Sequence, residues 1–171
     1  KEIFVYDWFQ SKKFAPEIKP YSGSDLIHDI SDDARGLFDN CMAQKNLAAI
    51  HIRLGDFRNS SWGSLPDVWY QNALEELCSH GIVNVNCFSD DLPEARNILK
   101  PFSGRLKFTY PELQNKLRPH ELLFVLSGYQ NFISSNSTLS WWASYLNRNL
   151  DSMIYTPWDS DHALNNWIYV G

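Results

Sequence analysis

The run Leu47-Ala48-Ala49-Ile50-His51-Ile52-Arg53-Leu54-Gly55-Asp56-Phe57 decides the fold. Its continuous apolar part, closed by charged residues and a glycine, is typical of a strand that is buried on both faces of a sheet. Comparable short runs recur as far as residue 157, and segments with helical spacing separate them. This alternation predicts an α/β protein with a parallel sheet and flanking helices.

Strands and helices follow one another regularly in this pattern. The strands are predicted at residues 47–54, 83–89, 106–110, 131–135 and 153–156. The helices are predicted at residues 25–44, 66–81, 92–99, 121–129 and 137–147. The sequence shows no internal repeat and no linker that would divide the chain, so one core is expected.

The helix predicted at 137–147 carries the clearest apolar stripe. The stripe consists of Leu139, Trp142, Ala143 and Leu146. Because these residues recur at the spacing of one helix face, Trp142 is predicted to lie in the core. Trp141 lies off the stripe and is predicted to be free to meet a ligand or a partner. The cap of this helix is predicted at Ser135 or Asn136.

Charge and apolar content exclude several classes of protein. Among 171 residues, 15 are Lys or Arg and 20 are Asp or Glu, and the net charge of -5 opposes binding of nucleic acid through its phosphates. The longest apolar run, residues 122–126, is far shorter than the roughly 20 residues that span a bilayer. No transmembrane segment is therefore predicted in this chain.

Neither a disulfide framework nor a metal site is predicted. The three cysteines lack a C-x-x-C spacing, and the five histidines lack the spacing of metal ligands. Asp159-Ser160-Asp161 matches the D-x-D pattern with which many metal-dependent sugar transferases hold manganese. Because 20 acidic residues make a chance match expected, this pattern is kept only as an alternative.

Charged side chains follow the first predicted strand, at the edge where open parallel sheets bind ligands. His51 and Arg53 have the same strand parity, so both are predicted on one face. An arginine held on a strand can direct two N–H groups at phosphate oxygens, and each charge-assisted bond contributes about 1.5–3 kcal/mol. The alternative is an ion pair between Arg53 and Asp56 that only closes the turn at Gly55.

A second candidate site follows the fourth predicted strand, between residues 134 and 142. The start of a helix offers unpaired N–H groups and the positive end of the helix dipole, which together suit a phosphate. Asn136, Ser137 and Thr138 add polar side chains at this point. Helix capping explains one or two of these residues and is the alternative.

A third candidate, Phe88-Ser89-Asp90-Asp91, follows the second predicted strand. A carboxylate at the end of this strand can accept hydrogen bonds from a ribose or from guanine. The same carboxylate type can cap the helix that opens at Leu92. We expect one of the two aspartates to bind a ligand and the other to cap the helix.

Taken in order, these segments resemble the α-1,2-fucosyltransferases of glycosyltransferase family 11. Residues 51–57 are similar to the H-x-R-R-G-D-Y signature of that family, and residues 135–142 are similar to its S-N-S-T-F-S-W-W block. Weaker similarities at 8–14, 65–70, 88–91 and 157–158 extend the resemblance over almost the whole chain. The departures are Leu54, where the family usually has a second arginine, and Phe57 in place of tyrosine.

The resemblance implies a Rossmann-like fold similar to the donor domain of a GT-B glycosyltransferase. It implies a helical lead-in over 1–45 packed on the core domain, a nucleotide-sugar-binding domain over 46–158 and a tail over 159–171. Because the family's G-N-Q-x-F-Q-Y-A-like segment is absent, the chain is expected to lack an N-terminal domain of the same enzyme. The expected compartment is the bacterial cytoplasm, or the Golgi lumen if that domain carries a membrane anchor.

The implied reaction is inverting transfer of L-fucose from GDP-fucose to the 2-hydroxyl of a galactose-containing glycan, with no metal or other cofactor. Arg53 is the implied catalytic residue, since it would stabilise the charge that builds on the leaving diphosphate. The implied donor-binding residues are His51, Arg53, Asp56, Asp90, Asn136, Ser137 and Thr138. Asp56 would orient Arg53, and Asp90 would bind the guanosine. The alternative is a non-catalytic nucleotide-sugar or glycan binding module of the same fold.

Overall fold

The computed structural model describes residues 29–59, 63–147, 149, 151–158 and 167–170. Several sequence features lie outside these described residues. They are the lead-in before residue 29, the similarity at 8–14 and the D-x-D pattern at 159–161.

Helices and strands alternate along the described part of the chain. The helices are α1 (Asp32–Ala43), α2 (Asp67–Ser79), α3 (Leu92–Leu99), α4 (Pro119–Leu126) and α5 (Thr138–Tyr145). The strands are β1 (Leu47–Ile52), β2 (Asn84–Ser89), β3 (Lys107–Thr109), β4 (Asn131–Ile133), β5 (Met153–Thr156) and β6 (Ile168–Tyr169). Short 3-10 turns lie at Asp56–Asn59, Lys100–Phe102 and Glu112–Asn115. Within the described residues, no helix is both long enough and apolar enough to cross a membrane.

The strands form one parallel sheet in the order β3-β2-β1-β4-β5-β6. This is the strand order of Rossmann folds. The strands β1 to β3 extend the sheet to one side and β4 to β6 extend it to the other, so the strand order reverses at the boundary between β1 and β4. Ile50 of β1 pairs with Cys87 of β2 on one side and with Ile133 of β4 on the other. The structure confirms the predicted Rossmann-like parallel sheet with flanking helices.

The two faces of the sheet are covered by different helices. Alternate residues of β1 point to opposite faces. Ile50 belongs to the apolar cluster that includes residues of α2 and α3, whereas Ala49 belongs to the cluster that includes residues of α1, α4 and α5. His51 has the same parity as Ala49. The sequence of β1 therefore directs His51 toward the side of the sheet that carries α5.

Side chains fix the helix ends. Asp91 caps α3, because its Oδ1 accepts the N–H of Glu94 at 3.2 Å. Capping is the role that was expected for one of the two aspartates, Asp90 and Asp91. Gly81, at a φ of 76° that glycine tolerates, follows the end of α2. Ser137 caps α5 through an N–H bond from Ser140 at 3.1 Å, so the prediction of a cap at Ser135 or Asn136 is wrong.

The tryptophan pair of α5 is arranged opposite to the sequence expectation. Trp141 is fully buried and stacks on Tyr145, with ring centroids 5.2 Å apart and an interplanar angle of 10°. Trp142 is only partly buried. The reason is that α5 also buries Ser140 and Ser144, so its buried face is rotated away from the apolar stripe.

The strand β6 was not predicted. It lies inside the segment 159–171 that was predicted as a tail, and it extends the sheet by pairing Ile168 with Tyr155 of β5. The indole N–H of Trp69 in α2 donates to the carbonyl of Val170 at 2.7 Å and attaches this segment to the core. A two-residue strand is too short for alternation to reveal it in a sequence.

Candidate functional site

The carboxyl ends of β1, β2 and β4 meet at one edge of the sheet. His51 and Arg53 belong to the end of β1, Asp90 follows β2, and Ser135 follows β4. Hydrogen bonds and ion pairs join these groups across the strands. The three segments singled out in the sequence therefore lie side by side at the crevice where Rossmann folds bind ligands.

Arg53 lies between two carboxylates. Its Nη2 is 2.7 Å from Oδ1 of Asp56, and its Nη1 is 3.2 Å from Oδ2 of Asp90. The guanidinium also lies 5.9 Å from the ring centroid of Phe57. The pair with Asp56 that the sequence offered as an alternative is present. With five N–H donors and 35% of its side chain exposed, Arg53 can still donate to an anion.

Asp90 holds the turn that follows β1. Its Oδ1 accepts the N–H of Leu54 at 2.9 Å, and its Oδ2 accepts the N–H of Gly55 at 3.0 Å. Since Oδ2 also receives Arg53, one carboxylate fixes both the turn and the guanidinium. Nothing in the local sequence indicates this role, and the contact of Asp90 with guanosine stays a prediction.

Replacing Gly55 with alanine is expected to displace Arg53. A Cβ at this position would lie 2.6 Å from Oδ2 of Asp90, so the carboxylate must move and its bonds to the turn and to Arg53 weaken. For GDP, the ligand that the family resemblance implies, we expect about a tenfold loss in affinity, measured by calorimetry. The control is Gly104→Ala, where an added Cβ meets nothing within 4 Å. Equal affinities of the two variants would contradict this role of Asp90.

His51 lies in a buried polar cluster, which we call the serine cluster: His51, Ser135, Ser137 and Ser140. Its Nδ1 is 2.5 Å from Oγ of Ser140 and 3.3 Å from Oγ of Ser135. Burial, and secondarily the nearby charge of Arg53, lowers the pKa of His51 to about 4. His51 is therefore neutral at pH 7.

Ser135 and Ser140 lie in the hydroxyl-rich segment that the sequence offers as a phosphate site, but neither is among the predicted donor-binding residues. Ser137, Ser140 and Ser144 recur at spacings of three and four residues, which marks one face of α5. This polar stripe was a usable signal, because three hydroxyls on one face indicate a buried polar partner. In the structure Ser140 contacts His51 directly, Ser137 is linked to it through Ser135, and Ser144 donates to the backbone carbonyl of Ser140 instead.

The burial of His51 predicts a pH-dependent stability. With a folded pKa near 4 and an ordinary value of 6.5, the unfolded chain binds a proton in this window and the folded chain does not. The free energy of unfolding is therefore expected to fall by up to about 3 kcal/mol as the pH drops from 6.5 to 4. Urea unfolding at several pH values measures this, and His51→Gln should flatten the slope above pH 5. An unchanged slope in His51→Gln would contradict the prediction.

The start of α5 provides the remaining predicted groups. The Asn136 amide Nδ2 donates to the carbonyl of Gly63 at 3.0 Å, while its buried Oδ1 has no partner among the described residues. The Ser137 hydroxyl caps the helix. Thr138 is partly exposed at the first helical position. The start of the helix directs its dipole and its first N–H groups toward the same edge as Arg53.

Comparison with known proteins identifies the family of this chain. A family model described as glycosyl transferase family 11 matches residues 4–170. The chain belongs to glycosyl transferase family 11. A curated relative, the O-antigen biosynthesis glycosyltransferase WbnK of Escherichia coli, is 28% identical over 120 residues. The match covers 66% of the family 11 chain and 38% of that relative, so the chain spans well under half of the relative's length.

Several solved structures also match the structure of the family 11 chain over part of their length. POFUT1 in complex with GDP matches with a TM-score of 0.49 and 16% identity over 82% of this chain and 47% of the POFUT1 chain. POFUT1 in complex with GDP-fucose matches with a TM-score of 0.47 and 15% identity, over 82% and 47% of the two chains. The Escherichia coli ADP-heptose lps heptosyltransferase II gives a TM-score of 0.47 at 15% identity, over 83% and 44%.

Leu54 is one of the two residues at which the family 11 chain departs from the signature that it resembles, the other being Phe57. Its side chain is 3% exposed and belongs to the apolar cluster on the side of α2. Leu54 thus points away from the face that carries His51. Its side chain contributes to the core, and Arg53 is left as the guanidinium of this segment.

The described part of the family 11 chain contains no group of three or more His, Cys, Asp or Glu residues placed to hold a metal ion. Cys41, Cys78 and Cys87 are free thiols, of which Cys41 and Cys87 are buried. Burial raises the pKa of both buried thiols to about 12, so neither is a thiolate at neutral pH. The acidic pair at 159 and 161 lies outside the described residues.

Proposed function

We propose that this chain is the donor-binding part of an inverting galactoside 2-α-L-fucosyltransferase that uses GDP-fucose. Membership in family 11 supports the transfer of a sugar, and the resemblance of the motifs supports fucose as that sugar. One observation carries the proposal. Arg53 and the hydroxyl-rich start of α5 lie at the ends of neighbouring strands, and His51 hydrogen-bonds to the serines that follow β4.

The charges of the site explain why both elements are needed. Arg53 contributes one positive charge, but Asp56 and Asp90 beside it contribute two negative ones. An anion that met only these three side chains would face a net negative charge. The dipole and the N–H groups at the start of α5 supply the additional attraction. A diphosphate that spans both elements is therefore the ligand that suits this edge.

The proposed chemistry follows from the charge on the leaving group. As the bond from the anomeric carbon to the diphosphate lengthens, negative charge grows on the phosphate oxygens. Arg53, with Ser137, Thr138 and the first N–H groups of α5, donates to these oxygens and stabilises the transition state more than the ground state. Asp56 and Asp90 keep the guanidinium oriented. The base for the acceptor hydroxyl and the contacts to the galactoside are assigned to an N-terminal domain of the same enzyme, and no metal is required.

Two measurements test this function. Calorimetry should show binding of GDP and GDP-fucose and little or no binding of guanosine, because the diphosphate makes the main contacts. The full-length protein should then release GDP from GDP-fucose in the presence of a galactoside, with the same rate in EDTA. Absence of GDP binding would contradict the proposal. Binding without turnover would favour the non-catalytic module, for which the lack of a second arginine at Leu54 is the supporting observation.

A further inference from the structure

The serine cluster contains two residues to which the proposed function gives no role, Ser135 and Ser140. Both side chains are fully buried. The Oγ of Ser135 lies 3.1 Å from that of Ser137 and 2.9 Å from that of Ser140. The Oγ of Ser140 lies 2.5 Å from Nδ1 of His51. A continuous chain of short polar contacts therefore joins the His51 ring to the start of α5.

The donor of each hydrogen bond can be assigned one contact at a time, starting from Ser137, because each hydroxyl has only one proton to donate. The Oγ of Ser137 accepts the N–H of Ser140 and also the O–H of Ser135. Ser135 then has no proton left for Ser140. Their 2.9 Å contact is consequently a hydrogen bond only if Ser140 donates.

The single proton of Ser140 in turn determines which nitrogen of His51 is protonated. Because Ser140 gives its proton to Ser135, its 2.5 Å contact with His51 is a hydrogen bond only if the ring donates from Nδ1. In the opposite order, in which Ser140 donates to the ring and Ser135 to Ser140, the contact between Ser135 and Ser137 has no donor, since the geometry there lets only Ser135 donate. Buried polar contacts without a proton are disfavoured, so the order that starts at His51 is the favoured one.

We propose that Ser135 and Ser140 are positioning residues that hold His51 in the tautomer with its proton on Nδ1. The serine cluster then has two groups left for a ligand. The O–H of Ser137 has no acceptor within the cluster and can donate to a phosphate oxygen. The Nε2 of His51, which makes no hydrogen bond with the described residues, carries a lone pair that accepts from a hydroxyl group. His51 therefore binds a sugar or ribose hydroxyl rather than a phosphate oxygen.

The assignment of the tautomer stands on the geometry alone, whereas the assignment of its ligands rests on the proposed function. The low pKa of His51 supports the proposal, because a neutral ring carries one proton that must reside on a single nitrogen. Cooperative polarisation along the chain of hydroxyls strengthens the outward Ser137 donor.

Nitrogen NMR of protein labelled with ¹⁵N-histidine tests the tautomer at pH 7. The His51 signals are assigned by their absence from His51→Gln. We expect a protonated, pyrrole-type shift for Nδ1 and an unprotonated, pyridine-type shift for Nε2. A protonated Nε2 in the wild-type protein would overturn the proposal.

Variants then test the role of the hydroxyls. Ser140→Ala is expected to move the His51 proton toward Nε2 and to weaken GDP binding by about threefold to tenfold. The control is Ser144→Ala, because its hydroxyl is buried on the same helix and donates to the carbonyl of Ser140 at 2.9 Å, outside the cluster. It should leave the His51 shifts and the GDP affinity unchanged.

If Ser140→Ala keeps the wild-type shifts, the proposal is wrong. If wild-type protein does not bind GDP, the proposed function fails, while the wild-type spectrum still decides the tautomer.

Discussion

If the proposed function holds, Arg53→Ala is expected to lower kcat/KM for GDP-fucose by about 10²–10³-fold, the effect of removing a donor that stabilises a developing oxyanion. The loss has two physical causes. The substitution removes the cation that meets the diphosphate. It also leaves the carboxylates of Asp56 and Asp90 without the guanidinium that lies between them, and both then repel the ligand. Steady-state kinetics measures the loss of kcat/KM, and calorimetry measures the accompanying loss of affinity for GDP.

Two further variants show that the effect belongs to the guanidinium. Arg53→Lys keeps the charge but cannot bridge Asp56 and Asp90 with a planar fork, so we expect an intermediate loss. Arg58→Ala removes an exposed arginine that pairs with Asp91 at 3.2 Å and should change kcat/KM by less than about threefold. A similar loss in Arg53→Ala and Arg58→Ala would mean that a general change of charge, rather than a specific contact, causes the effect.

Trp141→Ala is expected to destabilise the protein by about 3–5 kcal/mol, the usual effect of removing a large buried aromatic side chain. Trp141 is fully buried, stacks on Tyr145 and contacts Trp167 edge to face at 5.9 Å between centroids. Its removal opens a cavity between α5 and the segment that carries β6. Urea unfolding followed by circular dichroism measures the loss.

Trp142→Ala is the matched comparison, because it removes the same side chain from the next position of the same helix. Trp142 is only partly buried, so we expect a loss of about 1–2 kcal/mol. The apolar stripe of the sequence predicts the reverse order of the two effects. If Trp142→Ala destabilised the protein more than Trp141→Ala, the packing of α5 described above would be wrong.

The sheet could be predicted because buried parallel strands are continuous apolar runs. The ends of the strands could not. The first strand was predicted to reach residue 54, but β1 ends at Ile52. The N–H of Leu54 bonds to the carboxylate of Asp90 instead of to a neighbouring strand. That carboxylate lies 36 residues further along the chain, and nothing in the local sequence indicates that the two meet.

The candidate site, like the sheet, could be predicted only in part. The proximity of its three segments could be predicted, because the carboxyl ends of parallel strands meet at one edge of a sheet. The way in which they join depends on the strand order, which places β1 between β2 and β4. Only that order brings Asp90 to Arg53 and Ser140 to His51. The rotation of α5 that buries Ser140 and Trp141 also depends on this packing, and helical periodicity alone gave the wrong face.

A crystal structure of the protein with GDP tests the central claim most directly, since that claim is a contact. We predict that one diphosphate lies at the carboxyl ends of β1 and β4, with its oxygens at about 2.7–3.2 Å both from the guanidinium of Arg53 and from donors at the start of α5. GDP bound at another edge of the sheet, or in contact with only one of these two elements, would contradict the account.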